Sequence, residues 1–274
     1  SSAVADTAQT RREVRSLLER HGLRPRKRLG QHFLADPNIV DKIVRVAGIG
    51  PGDRVVEIGP GTGTLTAALA AAGARVLAIE IDEGLAPVLA ETVGGSDLVE
   101  VRFEDAARID LTAELDDGPW ALVANLPYNV GTPIVLDVLR HVPTVTRIVV
   151  MVQAEVAGRL AAEPGTGEYG LPSVVVGLHA AVVGRFDVPP QVFVPPPNVG
   201  STVIALERRD ADPRAERAIE LAAVAFGQRR KMLRSSLAGV LVDPVAALEA
   251  AGIDPTERPE RLPPAAWLGL VDHA

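Results

Sequence analysis

The chain has 274 residues, 47% hydrophobic and 23% charged, with 28 Lys and Arg against 35 Asp and Glu, five His and no Cys. That composition excludes a mostly disordered chain, a disulfide framework and any thiolate metal site. The length suits one large domain with a small one, and a net charge of −7 argues at face value against a nucleic-acid partner.

No run reaches ~18 uninterrupted apolar residues, so no membrane-spanning helix is expected. Residues 1–6 carry neither an initiator Met nor a charged-then-apolar signal pattern, so no targeting segment is expected there. Residues 9–28 are polar and basic, with a helix over 13–20 from the spacing of Val14, Leu17 and Leu18. Asp36 then reads as an N-cap with Pro37 in the first turn of a helix carrying Ile39, Val40, Ile43, Val44 and Val46, ended by residues 48–52.

From here short β-branched runs at 54–58, 75–80, 98–103, 120–124 and 147–152 alternate with helical segments at 64–72, 83–93, 132–141 and 155–162. That alternation predicts a doubly wound α/β sheet. Residues 171–179 read as a further helix. Strands at 180–188 and 201–207 follow, ending the sheet in an antiparallel, hairpin-like pair. The five prolines between them demand an ordered loop or an edge. After Arg209 the character changes: 214–226, 229–241 and 244–251 read as short helices. The expected domains are therefore residues 1–209, an α/β domain with a basic N-terminal segment, and 210–274, a small helical domain.

Two motifs carry the chemistry. Glu57-Ile-Gly59-Pro-Gly61-Thr-Gly63 lies between a strand and a helix, where glycines let backbone approach a ligand, and Glu80 ends the next strand, placed to accept from ribose hydroxyls. A dinucleotide fingerprint would need Gly where Thr64 stands. The G-x-G-x-G spacing instead resembles motif I of Rossmann-like methyltransferases, which bind S-adenosylmethionine; a plain βα turn and a dinucleotide enzyme are the alternatives for this loop alone. Asn125-Leu126-Pro127-Tyr128 follows the fourth strand, at the end of the sheet where ligands bind. The N6 amine of adenine is a poor nucleophile because its lone pair is delocalised. An Asn oxygen and the Leu126 carbonyl can accept both its protons, Pro127 stiffens the turn, and Tyr128 offers a ring for a flipped base. In isolation the same four residues would pass for an ordinary turn.

Together with residues 26–34 (Arg-Lys-Arg-Leu-Gly-Gln-His-Phe-Leu), Glu104-Asp105-Ala106, Met151-Val-Gln-Ala-Glu-Val156 and residues 188–201, these motifs make the chain resemble the ribosomal RNA adenine N6,N6-dimethyltransferases from about Lys27 to its end. The resemblance implies a Rossmann-like S-adenosylmethionine-dependent enzyme with a small C-terminal helical domain for RNA recognition. It implies methyl transfer to two adjacent adenosines near the 3′ end of small-subunit (16S) rRNA during ribosome biogenesis, with S-adenosylhomocysteine as product. It implies that Gln31, His32 and Leu34 close over the methionine end of the cofactor, with His32 where the family usually has Asn. By the same resemblance Gly59 would lie under the cofactor, Glu80 would bind its ribose and Asp105 would accept from its adenine amine, with Gly61, Ile81, Ala106 and Asn125 as further cofactor contacts. Asn125, Leu126, Pro127 and Tyr128 would form the target-base site, and Phe193 would line the other face of the base, completing an aromatic sandwich. A cytoplasmic monomer acting on small ribosomal subunits is implied. The rivals are the large-subunit (23S) rRNA adenine methyltransferases of antibiotic resistance, which tend to be more basic and lack the Gln-Ala-Glu-Val and triple-Pro patterns, and a non-catalytic RNA-binding assembly factor.

Charge by segment revises the first inference. Residues 11–45 hold ten Lys and Arg against four acids, residues 49–118 hold four against fourteen, and residues 228–234 add four cations and no acid. A solvated helix face explains one such cluster; two beside an adenine-reading site favour RNA phosphate contact, with Arg26, Lys27, Arg28, Arg229, Arg230, Lys231 and Arg234 as candidates. The five histidines show no paired ligand spacing, so no metal site is expected.

Overall fold

The computed structural model describes residues 8–274, so the expectation for residues 1–6 lies outside the described residues. The first helix, α1 (Arg11–Arg20), starts at a capping box between Thr10 and Glu13. Strand β1 (Phe33–Leu34) leads into α2 (Pro37–Ala47), where Asp36 accepts from the amides of Asn38 and Ile39. Such a cap contributes about 1 kcal/mol, and it fixes where the chain turns into the α/β layers.

The alternation then unfolds as β2 (Arg54–Ile58), α3 (Thr64–Ala71), β3 (Arg75–Glu80), α4 (Ala86–Val93), β4 (Val99–Phe103), α5 (Leu111–Glu114), β5 (Trp120–Asn125), α6 (Gly131–His141) and β6 (Val145–Gln153). The five strands pair in parallel because each return passes through a crossover. Val55 lies opposite Val76 on one side and Ala121 on the other, and the runs 55–58, 76–80 and 148–152 are buried. Burial on both faces is why these strands read as continuous apolar runs. Next come α7 (Ala154–Leu160), α8 (Leu171–His179), β7 (Ala180–Val188), β8 (Phe193–Val194) and β9 (Ser201–Arg208).

Seven strands lie in the order β4-β3-β2-β5-β6-β9-β7. Chain order runs one way from β2 and the other way from β5, so a crevice opens at the carboxyl ends of these two neighbours. The two late strands differ from a simple appended hairpin: β9 inserts beside β6, antiparallel to it with Val150 opposite Ile204, and β7 takes the edge. The proline-rich stretch is ordered. Its β8 pairs antiparallel with β1, Phe33 opposite Val194 and Leu34 opposite Phe193, in a separate two-stranded sheet.

The chain divides into two compact units. The first runs to Ala157 and takes Val182–Glu207; the second is Gly158–Ala181 with Arg208–Ala274. The boundary expected at 209/210 is therefore corrected: α8, assigned from sequence to the large domain, packs on α9 (Ala215–Gly227) and α12 (Pro264–Val271). Buried Val174, Val175 and Val176 on α8 supply the apolar face, and Gly177 lets Pro264 approach to a distance that a Cβ would close to 2.5 Å. The expected helix over 229–241 is also corrected. Only α10 (Leu233–Ser236) is helical, because the amides of Leu233 and Arg234 donate to the carbonyls of Glu257 and Pro255 instead of continuing a helix. After α11 (Pro244–Ala250), α12 is a helix the sequence reading did not include; it buries Trp267 and Leu270 completely.

Candidate functional site

The loop after β2 turns left-handed at Gly59 (φ +74°) and Gly61 (φ +59°). A Cβ on Gly61 would sit 2.9 Å from the Phe33 ring, so a side chain there would collide with the residue that roofs the loop. At the end of β3, Glu80 is only 4% exposed; its Oε2 accepts from the Gly61 amide at 3.1 Å and its Oε1 from the Asp82 amide at 3.0 Å. Burial raises the proton affinity of this carboxyl, and the two amides oppose the rise. Glu57, within β2, is fully buried and accepts from the Thr66 hydroxyl at 2.6 Å. Burial pushes its carboxyl up to about 8, against the Thr66 bond and with help from the Glu80 charge, so it holds its proton at neutral pH.

Across the switch point, Asn125 closes β5, and its Nδ2 donates to the His32 carbonyl at 3.3 Å. That bond identifies Nδ2 as the donor turned to residues 29–34 and leaves Oδ1 as the acceptor. The Tyr128 hydroxyl lies 2.9 Å from Ser201 Oγ, and burial raises its proton affinity. The imidazole of His32 stacks on the Tyr128 ring, with centroids 5.0 Å apart and planes at 28°, while His32 Nδ1 donates to the Pro195 carbonyl at 2.8 Å.

A cleft of about 640 Å³ runs between these groups, walled by residues 29–34, the loop 59–62, Glu57, Glu80, Ile81 and residues 125–128. It adjoins a second compartment of about 470 Å³, where residues 104–107 face Ile58, Ile79 and Ile134; Leu29, Gly59, Glu80, Ile81 and Pro127 border both. A glycine cradle, a buried carboxylate at a strand end and a two-part apolar cleft fit a nucleoside cofactor with an amino-acid tail. Among the described residues no group of three or more His, Cys, Asp or Glu is placed to hold a metal ion, and no helix is long and apolar enough to cross a membrane.

The structure brings Gln31, His32, Leu34, Gly59, Gly61, Glu80, Ile81, Asn125, Leu126, Pro127 and Tyr128 to the first cleft, and Asp105 with Ala106 to the second. Asp105 also accepts from the Ala107 amide at 3.0 Å. Phe193 is the exception. Its ring is fully buried in the core with Leu34 and Val188 and lines neither compartment, because β8 is locked to β1. The ring against Tyr128 is that of His32. The basic candidates divide as well. Arg26 forms an ion pair with buried Asp82 at 3.0 Å, whereas Lys27 and Arg28 are exposed on a short 3-10 turn. Arg229 is half-buried and donates to the Gly167 carbonyl at 3.0 Å; Arg230, Lys231 and Arg234 are exposed.

Sequence reasoning passed over Phe33, Ser201 and Asp82. Asp82 left a signal: an acid two positions beyond Glu80 and two before Gly84, whose amide it caps at 3.1 Å. Phe33 and Ser201 lay in the quoted motifs without a role of their own.

Comparison with known proteins places the chain among relatives. The family model described as Ribosomal RNA adenine dimethylase matches residues 22–274. Ribosomal RNA small subunit methyltransferase A of Phenylobacterium zucineum (strain HLK1) is 46% identical over 262 residues, covering 94% of this chain and 91% of that protein. A dimethyladenosine transferase from Plasmodium falciparum superposes with a TM-score of 0.74 at 26% identity, over 87% of this chain and 96% of the other. The 23S rRNA methyltransferase ErmE superposes at 0.66 with 28% identity, over 88% and 98%.

Proposed function

Because the chain belongs to the ribosomal RNA adenine dimethylase family, we propose that it moves methyl groups from S-adenosylmethionine to N6 of two adjacent adenosines near the 3′ end of small-subunit rRNA, as part of subunit maturation in the cytoplasm. The observation that carries this reading is the Asn125 amide, held by its nitrogen to the His32 carbonyl. Its oxygen is the acceptor at the carboxyl end of β5, where a target amine would arrive.

When bound, S-adenosylmethionine supplies a methyl group on a sulfonium, already an activated leaving group. What the chain must add is alignment and electrostatics. Glu80 accepts from the ribose hydroxyls and Asp105 from the adenine amine, while Gly59 and Gly61 allow the backbone to approach closely. Asn125 Oδ1 and the Leu126 carbonyl accept the two N6 protons of the target and turn its lone pair towards the methyl group. Pro127 stiffens that turn, and the Tyr128 ring, held through its hydroxyl by Ser201, stacks on the flipped base. Lys27, Arg28, Arg230, Lys231 and Arg234 are the exposed cations assigned to RNA phosphates, the last three on the helical second unit as its contribution to recognition.

The test incubates the protein and labelled S-adenosylmethionine with small subunits from cells that lack the modification, then identifies the labelled nucleosides. N6,N6-dimethyladenosine in small-subunit RNA is expected. Good cofactor binding without that product would overturn the reading in favour of a binding factor. Label confined to large-subunit RNA would assign the chain to the other substrate class.

A further inference from the structure

Asp82 lies just beyond the ribose-binding end of β3 and is 5% exposed. Its two carboxylate oxygens face two different side chains from residues 26–34, the strap that walls the first cleft. Oδ1 is paired with Arg26 Nη1 at 3.0 Å, and Oδ2 accepts from Gln31 Nε2 at 2.7 Å. Gln31 Oε1 in turn accepts from the Arg26 amide at 2.7 Å, so Arg26, Gln31 and Asp82 close a ring of bonds. The Asp82 amide donates to Glu80 Oε1 at 3.0 Å, which ties that ring to the carboxylate assigned to the ribose.

We infer that Asp82 is a positioning residue that latches the strap over the cofactor cleft, and that Arg26 is its ion-pair partner instead of an RNA contact. The inference rests on the reading of that cleft as the S-adenosylmethionine site. The far end of the strap is secured independently, by β1 pairing with β8 and by the His32 carbonyl accepting from Asn125. Asp82 holds the near end through side chains on both of its oxygens. A buried carboxylate is a costly anchor unless it is paired, and once paired it selects one geometry over others. Without it Arg26 and Gln31, which flank Leu29 and Gly30, lose their bonds to Asp82. Gly30 already sits so close that a Cβ there would lie 3.3 Å from the Tyr128 amide nitrogen.

Electrostatics makes the latch separable from a charge effect. The negative charge on Asp82 raises the proton affinity of Glu80. Neutralising Asp82 relieves that push and also removes an anion near a sulfonium cofactor, an attraction that S-adenosylhomocysteine does not share. Loss of the latch is therefore read as an equal loss of affinity for both ligands.

The test measures S-adenosylmethionine and S-adenosylhomocysteine affinity of the full chain by calorimetry without RNA, for wild type, Asp82→Asn, Arg26→Ala and the double variant. Asp82→Asn is expected to weaken both ligands about tenfold and Arg26→Ala by about three- to tenfold, with the double variant no worse than Asp82→Asn. At saturating cofactor, kcat should stay within about twofold while KM for the cofactor rises, and Arg26→Lys should recover part of the loss. RNA affinity of Arg26→Ala and its salt slope should match wild type. Unchanged or tighter cofactor binding in Asp82→Asn would overturn the latch. So would an Arg26→Ala variant with intact cofactor affinity whose RNA salt slope falls by about one. Arg26 is half-exposed, so its variants keep the test alive should Asp82→Asn fail to fold. A wild type that binds no S-adenosylmethionine would instead refute the reading of the cleft.

Discussion

Two basic stretches, 26–28 and 229–234, look interchangeable as strings of Arg and Lys, yet the structure uses them differently. In the first, Arg26 is drawn inward by Asp82, a carboxylate with almost no access to water, and its neighbours ride on a turn whose Leu29 walls the first cleft. In the second, Arg229 satisfies a backbone carbonyl of its own unit while Arg230 and Lys231, on a turn, and Arg234, in the short helix α10, stay at the surface. The difference teaches that a run of cations reports a phosphate-binding surface only after internal partners are subtracted. A buried acid within reach is worth more to an arginine than a distant, screened phosphate.

The largest expected effect sets the reference for both stretches. Asn125→Ala should cut methyl transfer by about 10²–10³-fold, while cofactor and RNA affinities stay within about twofold, read by single-turnover assay and calorimetry. A large loss of cofactor affinity would mean that Asn125 mainly holds cofactor. Next, reversing charge at Arg230→Glu with Lys231→Glu should weaken RNA binding by about ten- to a hundredfold near 0.1 M salt, lower the salt slope by about 1.5, and leave cofactor affinity untouched. If Arg26→Ala weakens RNA binding in the same way, the contrast between the stretches collapses.

Smaller effects sharpen the strap side. His32→Asn removes the ring stacked on Tyr128 and should cost about 1 kcal/mol of stability by denaturant titration. Cofactor affinity should hold within about threefold, because Asn125 bonds to the backbone carbonyl at position 32, which any residue supplies. The last test concerns Glu57, whose folded carboxyl titrates near 8 against an ordinary 4.5. Between those values the unfolded state binds fewer protons, so this group's contribution to stability is full below about pH 4.5 and is lost as pH rises towards 8. Glu57→Gln should remove this group's share of the slope between pH 5 and 8, measured by urea denaturation at several pH values; an unchanged slope would mean the carboxyl is ionised when folded.

Much of the fold was legible because its signals are local. Strand–helix alternation, the Asp36-Pro37 start, and the glycine loop between β2 and α3 each depend on a few adjacent residues. The same holds for Gly59, Glu80 and Asn125, which lie at strand ends and so reach the crevice by topology alone. What was misread depends on partners far along the chain. Phe193 looked like a target-site ring but lies in the core because β8 pairs with β1, which places Phe193 opposite Leu34, 159 positions away in sequence. His32 took the place beside Tyr128 that no local pattern assigns. Residues 229–241 had helical composition, but the carbonyls of Pro255 and Glu257 claim the amides that would have continued the helix.

The sequence by itself determined a Rossmann-like sheet, the glycine loop after β2, the carboxylate ending β3 and the Asn125–Tyr128 turn after β5, because each is set by backbone preference and strand-end position. It also showed that the −7 net charge averages an acidic segment, residues 49–118, against basic ones. Only the tertiary structure decided that α8 belongs with the C-terminal helices, that His32 and not Phe193 faces Tyr128, and that Asp82 claims Arg26. The physical reason is common to all three. Burial and pairing are properties of neighbours in space, and the identity of those neighbours is fixed by packing between segments that composition and spacing do not connect.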